Sequence, residues 1–216
     1  MENYSCIKNK FTLKLKEAER FAIECSYISI PKKGEERCGD NVIYGKISGG
    51  KYTVILSDGM GCGKNAATQS ITAIELMQQF LNAGFDKKTS VEMINSTLML
   101  KNSETFATLD AVIIDMFTAK TEFVKAGANT TYIKTDNCIK KISSNTLPIG
   151  IINNTKAETK EYQAKNGDII ILISDGIHNA TDSWFEEYIL NMHEDNPKLI
   201  AKLLADEAQR RKKQDD

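Results

Sequence analysis

The sequence predicts an α+β fold in which antiparallel strands build a sandwich flanked by helices, and three observations carry that expectation. Strand-like and helix-like stretches are segregated along the chain as strands, two helices, many strands and two helices. The strand-like stretches follow one another across short turns, as hairpins do, which counts against βαβ crossovers. Two of them, "YTVILSDGMGCG" (52–63) and "DIIILISDGIHN" (168–179), are β-branched apolar runs that stop at the same Ser-Asp-Gly.

Taken in order, alternation and Gly/Pro/Asn punctuation predict strands at "FAIECSYISI" (21–30), "VIYGKI" (42–47) and "YTVILSD" (52–58). After "GMGCG" the period changes: Ala67, Ile71, Ile74 and Leu81, widened by Met77 and Phe80, predict a long amphipathic helix ending near Gly84. Val91, Ile94 and Leu98 predict a second helix, capped by Thr89 or Ser90. Strands return at "FATLDAVIIDMF", "TEFVKAG", "TTYIKTD", "CIKKIS", "AETKEYQ" and "DIIILISD", with turns at Thr118 to Lys120 and at Asp136-Asn137. Ser183 with Glu186 forms a capping box for a helix whose face is Trp184, Phe185, Tyr188, Ile189 and Met192. Asn196-Pro197 opens a last helix carrying Ile200, Leu203 and Leu204.

The 216 residues suffice for one substantial core and contain no low-complexity seam, so one domain, 1–216, is expected. With 28 Lys+Arg against 29 Asp+Glu the net charge is −1, which removes the electrostatic case for a nucleic-acid binder. The "RRKK" run (210–213) is read as cations suited to the end of a helix. No apolar run is long enough to span a bilayer, and the first ten residues hold no signal-peptide core, so a soluble chain is expected. The five cysteines are scattered without a Cys-x-x-Cys pair, which fits a reducing cytosol and neither a disulfide framework nor a zinc site. Cys62, in the glycine-rich loop, is read as a small loop residue.

A strand-end Asp-Gly is by itself an ordinary turn. Its repetition changes the weighing, because a core strand gains nothing from a carboxylate unless the charge is solvated, paired or bound to a cation. Two such groups brought together repel unless a metal lies between them. The chain has only two histidines, so oxygen ligation of Mg²⁺ or Mn²⁺ is the metal chemistry it best supports. The competing reading of "SDGMGCGKNA" is a phosphate cradle, since Gly61-x-Gly63-x-x-Ala66 follows a strand and opens a helix. That reading leaves the second Ser-Asp-Gly unexplained. Among other acids, Asp40 and Asp168 read as turn residues, and Asp110 and Asp115 as strand-end or edge charges.

The segments "SDGMGCG", "ATLDAVIID", "LPIGII" and "ILISDGI", in this order, resemble the phosphatase domain of stage II sporulation protein E, a branch of the metal-dependent, protein phosphatase 2C-like superfamily. The resemblance runs from about Ala22 to the end and implies two antiparallel sheets packed face to face between helices. It implies two Mn²⁺ or Mg²⁺ ions, with Asp58 bridging both, the Gly59 carbonyl on one, Asp175 on the other side and Asp40 as a further ligand or the holder of a metal-bound water. Asp58 and Asp175 become the catalytic residues. The family's last acidic ligand precedes a closing strand, and its best match is Asp215, or Asp216. The closing strand is missing, which implies a fragment of a longer protein. His178 is assigned no role.

The implied activity is hydrolysis of a phosphoserine or phosphothreonine protein by direct attack of a metal-activated water. By the same resemblance the substrate is a phosphorylated anti-anti-sigma factor in sporulation. The domain is then cytoplasmic, the full-length protein membrane-anchored, and a homodimer switched through the helix at Lys64 to Gly84 is compatible. The alternative of another class is an interaction module that keeps the fold and binds metal poorly.

Overall fold

The computed structural model describes residues 4–7, 10–13, 17–31, 38–59, 63–100, 106–153, 155–178 and 184–215, of which 4–13, 63–65, 178 and 213–215 are described in backbone only. The strands are β1 (Tyr4–Ile7), β2 (Lys10–Leu13), β3 (Asp40–Ile47), β4 (Lys51–Asp58), β5 (Leu109–Asp115), β6 (Lys120–Ala126), β7 (Thr131–Lys134), β8 (Ile139–Ile142), β9 (Glu158–Gln163) and β10 (Ile169–Ile171). The helices are α1 (Gly63–Asn82), α2 (Lys87–Met99), α3 (Asp175–His178), α4 (Trp184–Leu190) and α5 (Pro197–Asp215).

β1 and β2 form a hairpin of their own. The rest of the fold is two antiparallel sheets, one in the order β3-β4-β5-β6-β9 and one in the order β10-β7-β8. Alternation of side chains divides the five-stranded sheet between two cores. One face sends Ile43, Ile55, Ala111, Ile113, Val124 and Ala126 against Ile74 and Met77 of α1 and Val91, Ile94 and Leu98 of α2. The other face sends Val54, Val112, Ile114 and Phe123 against Ile133, Ile142 and Ile170 of the smaller sheet. The far face of that sheet, with Tyr132, Ile139 and Ile169, carries α4 and α5 through Phe185, Ile189, Ile200 and Leu204. These layers are helix, sheet, sheet, helix, as expected. Each large aliphatic side chain buried among them contributes roughly 1.5–3 kcal/mol.

Several local expectations change. "FAIECSYISI" carries no strand: Arg20 and Phe21 both donate their N–H to the Met116 carbonyl, and Tyr27, Ile28 and Ile30 stay exposed. α2 is capped by Asp86, whose Oδ1 accepts from the Lys88 and Thr89 N–H, so the cap lies three residues before Thr89. Ile71 and Leu203 lie at the exposed edges of their helices, and α1 instead buries Ala66 and Ala73. Ser183 lies outside the described residues. Asn196 caps α5 as expected, its Oδ1 accepting from the Lys198 and Leu199 N–H. The basic run at the end of α5 has a local purpose. Arg210 and Arg211 converge on Glu207, holding its carboxyl at about 2, and the Arg211 guanidinium lies 4.4 Å from the centroid of the Trp184 ring, which ties α5 to α4.

Candidate metal centre

The β3-β4 hairpin turns at Ser48 to Gly50, and its register pairs Asp40 with Asp58 across the two strands. Both positions have the parity of Val42 and Val54, so both carboxylates leave the sheet on the side that faces the smaller sheet. Asp175 arrives from that other sheet. β10 ends at Ile171, and four residues later Asp175 opens the short helix α3, so it stands past the strand and not at its tip. Asp40, Asp58 and Asp175 thereby offer one oxygen each within 4.8 Å of one another, the first two half-buried and the third exposed. Three like charges this close repel by several kcal/mol in any medium less polar than water, so the cluster fits a hard divalent cation.

The surrounding backbone is built to hold this geometry. Thr108 grips Asp58 from both sides: the Asp58 N–H donates to Thr108 Oγ1 at 2.8 Å, and the Thr108 N–H donates to the Asp58 carbonyl at 2.9 Å. The Ser57 hydroxyl donates to the Thr108 carbonyl at 2.6 Å. On the other flank Ser70 of α1 donates to the Gly39 carbonyl at 2.5 Å and accepts from Asn41 Nδ2 at 2.7 Å, which pins the residues on either side of Asp40 to the helix.

Gly59 continues β4 by isolated bridges, pairing with Ala107, which in turn pairs with Ile149 of the "LPIGI" segment. The first described turn of α1 lies directly on Gly59, and a Cβ there would overlap the Ala66 carbonyl. Glycine is required because backbone passes over backbone. Gly59→Ala is therefore expected to displace the start of α1 and lower stability by about 1–3 kcal/mol, the range for an overpacked site, measurable by urea unfolding.

The structure brings Asp40, Asp58, Gly59 and Asp175 together at one end of the sandwich. Asp216 and Cys62 lie outside the described residues, as do the side chains of Asp215 and His178. The dinucleotide reading loses its basis, because β4 lies between antiparallel neighbours and lacks the parallel crossover which that fold needs. A shallow depression lined by Lys51, Asp115 and Glu122 lies at the opposite ends of the same strands.

Of the remaining acids, Asp115 caps the turn after β5, accepting from the Phe117 and Thr118 N–H, and Asp168 accepts from the Lys165 N–H and the Tyr162 hydroxyl. Asp110 differs from expectation. It is a core residue, 1% exposed, and its Oδ2 accepts from Lys125 Nζ at 2.6 Å and from Thr131 Oγ1 at 2.7 Å. Sequence reasoning missed this pair, Thr108 and the Asn41–Ser70 link. The available signal was parity, since Asp110 shares that of Val112 and Ile114, and Lys125 that of Phe123, on the sandwich face.

A family model described as stage II sporulation protein E (SpoIIE) matches residues 48–216. The stage II sporulation protein E of Bacillus subtilis (strain 168) is 35% identical over 176 residues, which cover 78% of this chain and 21% of that protein. That of Priestia megaterium is 31% identical over 199 residues, covering 89% of this chain and 34% of the relative. The chain thus spans between about a fifth and a third of these relatives. The solved PP2C phosphatase domain of SpoIIE from Bacillus subtilis, with a fragment of its regulatory domain, superposes with a TM-score of 0.76 at 34% identity, covering 84% of this chain and 55% of that one.

Proposed function

The chain belongs to the stage II sporulation protein E family, and from that premise we propose that it is a metal-dependent protein phosphatase acting on phosphoserine or phosphothreonine in a protein substrate. The observation that carries the reading is the convergence of Asp40, Asp58 and Asp175 at the common end of two sheets. The donor set is all oxygen and anionic, which suits Mn²⁺ or Mg²⁺. By the family resemblance Asp58 would bridge two ions; Asp40 and Asp175 would hold one side each, and the Gly59 carbonyl would complete one shell. Asp215 is proposed as a further ligand.

When bound, such ions acidify a water for in-line attack on phosphorus and neutralise the phosphoryl oxygens. The residues themselves hold and orient. Thr108 fixes the Asp58 backbone, the Ser70–Gly39 bond fixes the turn before Asp40, and the α1 backbone packs on Gly59. No side-chain nucleophile is invoked, so no phosphoenzyme is expected.

The finer proposals follow the family: a phosphorylated anti-anti-sigma factor as substrate, and membrane anchoring outside this chain. Among the described residues no helix is long and apolar enough to cross a membrane.

The test is phosphate release from a phosphoserine protein as a function of Mn²⁺, run on this chain and on one extended at its C-terminus. Turnover that EDTA abolishes and Mn²⁺ restores supports the proposal, and turnover by the longer chain alone places a needed ligand beyond Asp216. No turnover by either favours an interaction module that keeps the fold.

A further inference from the structure

Among the described residues the layer between the two sheets is mostly apolar, and near its metal end it buries a charge pair. Across the five-stranded sheet, one row inward from Asp40 and Asp58, the register runs Val42, Leu56, Asp110, Lys125 and Glu158. That row lies two residues, or about 7 Å, below the carboxylates. Asp110 and Lys125 are each 1% exposed, and Thr131, on the facing sheet, is fully buried. Lys125 Nζ donates to Asp110 Oδ2 at 2.6 Å and to Thr131 Oγ1 at 2.7 Å, and Thr131 Oγ1 donates to the same carboxylate oxygen at 2.7 Å. A charge pair and a hydroxyl from the opposite sheet thus close a three-membered polar cluster inside a core of Val112, Ile114, Phe123 and Ile133.

Two of its members sit at routes to the metal site. Asp110 is two residues from Thr108, which grips the Asp58 backbone. Thr131 adjoins Tyr132, which pairs with Ile171, the last residue of β10 before the chain runs on to Asp175. Apolar sheets packed face to face tolerate small sliding, because dispersion contacts have no direction. Hydrogen bonds between buried partners do have direction, and losing one costs the desolvation of the other. The two sheets are therefore held in one relative position at the end where the carboxylates meet.

We propose that Asp110, Lys125 and Thr131 form a positioning lock that sets the separation of Asp58 and Asp175 by tying the metal end of one sheet to that of the other. The inference rests on the metal-site reading above. Its energetic character agrees: burial pushes the Asp110 carboxyl up and the Lys125 ammonium down, each opposed by the other's charge, and Asp110 Oδ1 meets no donor among the described residues. An apolar trio of equal volume would be at least as stable, so stability alone does not account for the cluster.

Thr131→Val removes the cross-sheet hydroxyl and keeps the shape and the ion pair. Mn²⁺ binding, followed by the EPR signal of the free ion, is expected to weaken about tenfold, the scale seen when an outer-shell group around a metal is lost. Thr131→Ser is expected to restore it, and Ile189→Val, a core change behind the smaller sheet, to leave it unaltered. The same variants are compared in metal-free protein by amide exchange at Asp58 and Ile177, whose N–H groups bond to Thr108 Oγ1 and the Ser174 carbonyl at the two ends to be held. About tenfold faster exchange at both in Thr131→Val alone supports the lock. Mn²⁺ affinity or tip exchange that changes no more in Thr131→Val than in Ile189→Val overturns it. Absence of Mn²⁺ binding by both the parent chain and its C-terminally extended form overturns the metal reading, and the exchange rates then decide the lock by themselves.

Discussion

Asp58→Asn is expected to lower Mn²⁺-dependent phosphate release by at least about 10²–10³-fold, the loss typical of removing one group that stabilises developing charge. The substitution is nearly isosteric, and the bonds that hold this position to Thr108 use the Asp58 backbone N–H and carbonyl, which asparagine keeps. The fold should therefore survive. Stability should cross over with metal. Three carboxylates within 4.8 Å repel one another in metal-free protein, so neutralising one of them should leave the melting temperature unchanged or slightly raised. With Mn²⁺ the order reverses, because a cation bound to the native state at 100 times its dissociation constant adds about 2.7 kcal/mol to the parent. Melting with and without Mn²⁺, beside phosphate release at limiting Mn²⁺, reads both effects. Undiminished turnover, or an unchanged Mn²⁺-dependent rise in melting temperature, would sink the assignment of Asp58.

Much of this site was readable in the sequence. The hairpin "VIYGKISGGKYTVILSD" turns about Gly49, and a symmetric register about that turn sets Asp40 opposite Asp58, which is the pairing observed. On residue type alone Asp40 looks like a turn residue, and only the register makes it a neighbour of the site. The hairpins β5-β6 and β7-β8 were legible because short turns leave little freedom in how strands pair. The approach of Asp175 was not. It depends on how two sheets pack face to face, and that packing joins residues far apart in sequence, Val112 and Phe123 with Ile133 and Ile170, which leave no local pattern. The extended stretch at "FAIECSYISI" shows the converse, since its alternation reads as a strand but a strand also needs a neighbour to pair with. Asp110 was misread for a related reason. An acid near a strand end is ordinarily at the rim, and here the rim lies one row further out, at Thr108 and Asp58.

Lys125→Met should be the most destabilising single change at the sandwich core, about 3–5 kcal/mol at pH 8, because it strands the Asp110 carboxylate in an apolar interior. The loss should shrink as the pH falls. Burial already pushes the Asp110 carboxyl up with the lysine present, and removing that cation raises it further, whereas the unfolded chain releases the same proton near the ordinary value of about 3.9. Between these two values the native variant holds a proton that the unfolded chain has given up, so its stability falls as pH rises through the window. Urea unfolding of parent and variant at pH 5 and pH 8 should then give a smaller difference at pH 5. A difference that is the same at both would mean that Asp110 does not carry the buried charge. Replacing all three members with apolar residues, Asp110→Leu, Lys125→Met and Thr131→Val together, should return stability to the parent level or above it, since no charge or hydroxyl is then left unpaired. That triple variant also separates the two roles of the cluster. If it is as stable as the parent and still binds Mn²⁺ more weakly, the polar trio acts through where it holds the carboxylates and not through how firmly it holds the fold.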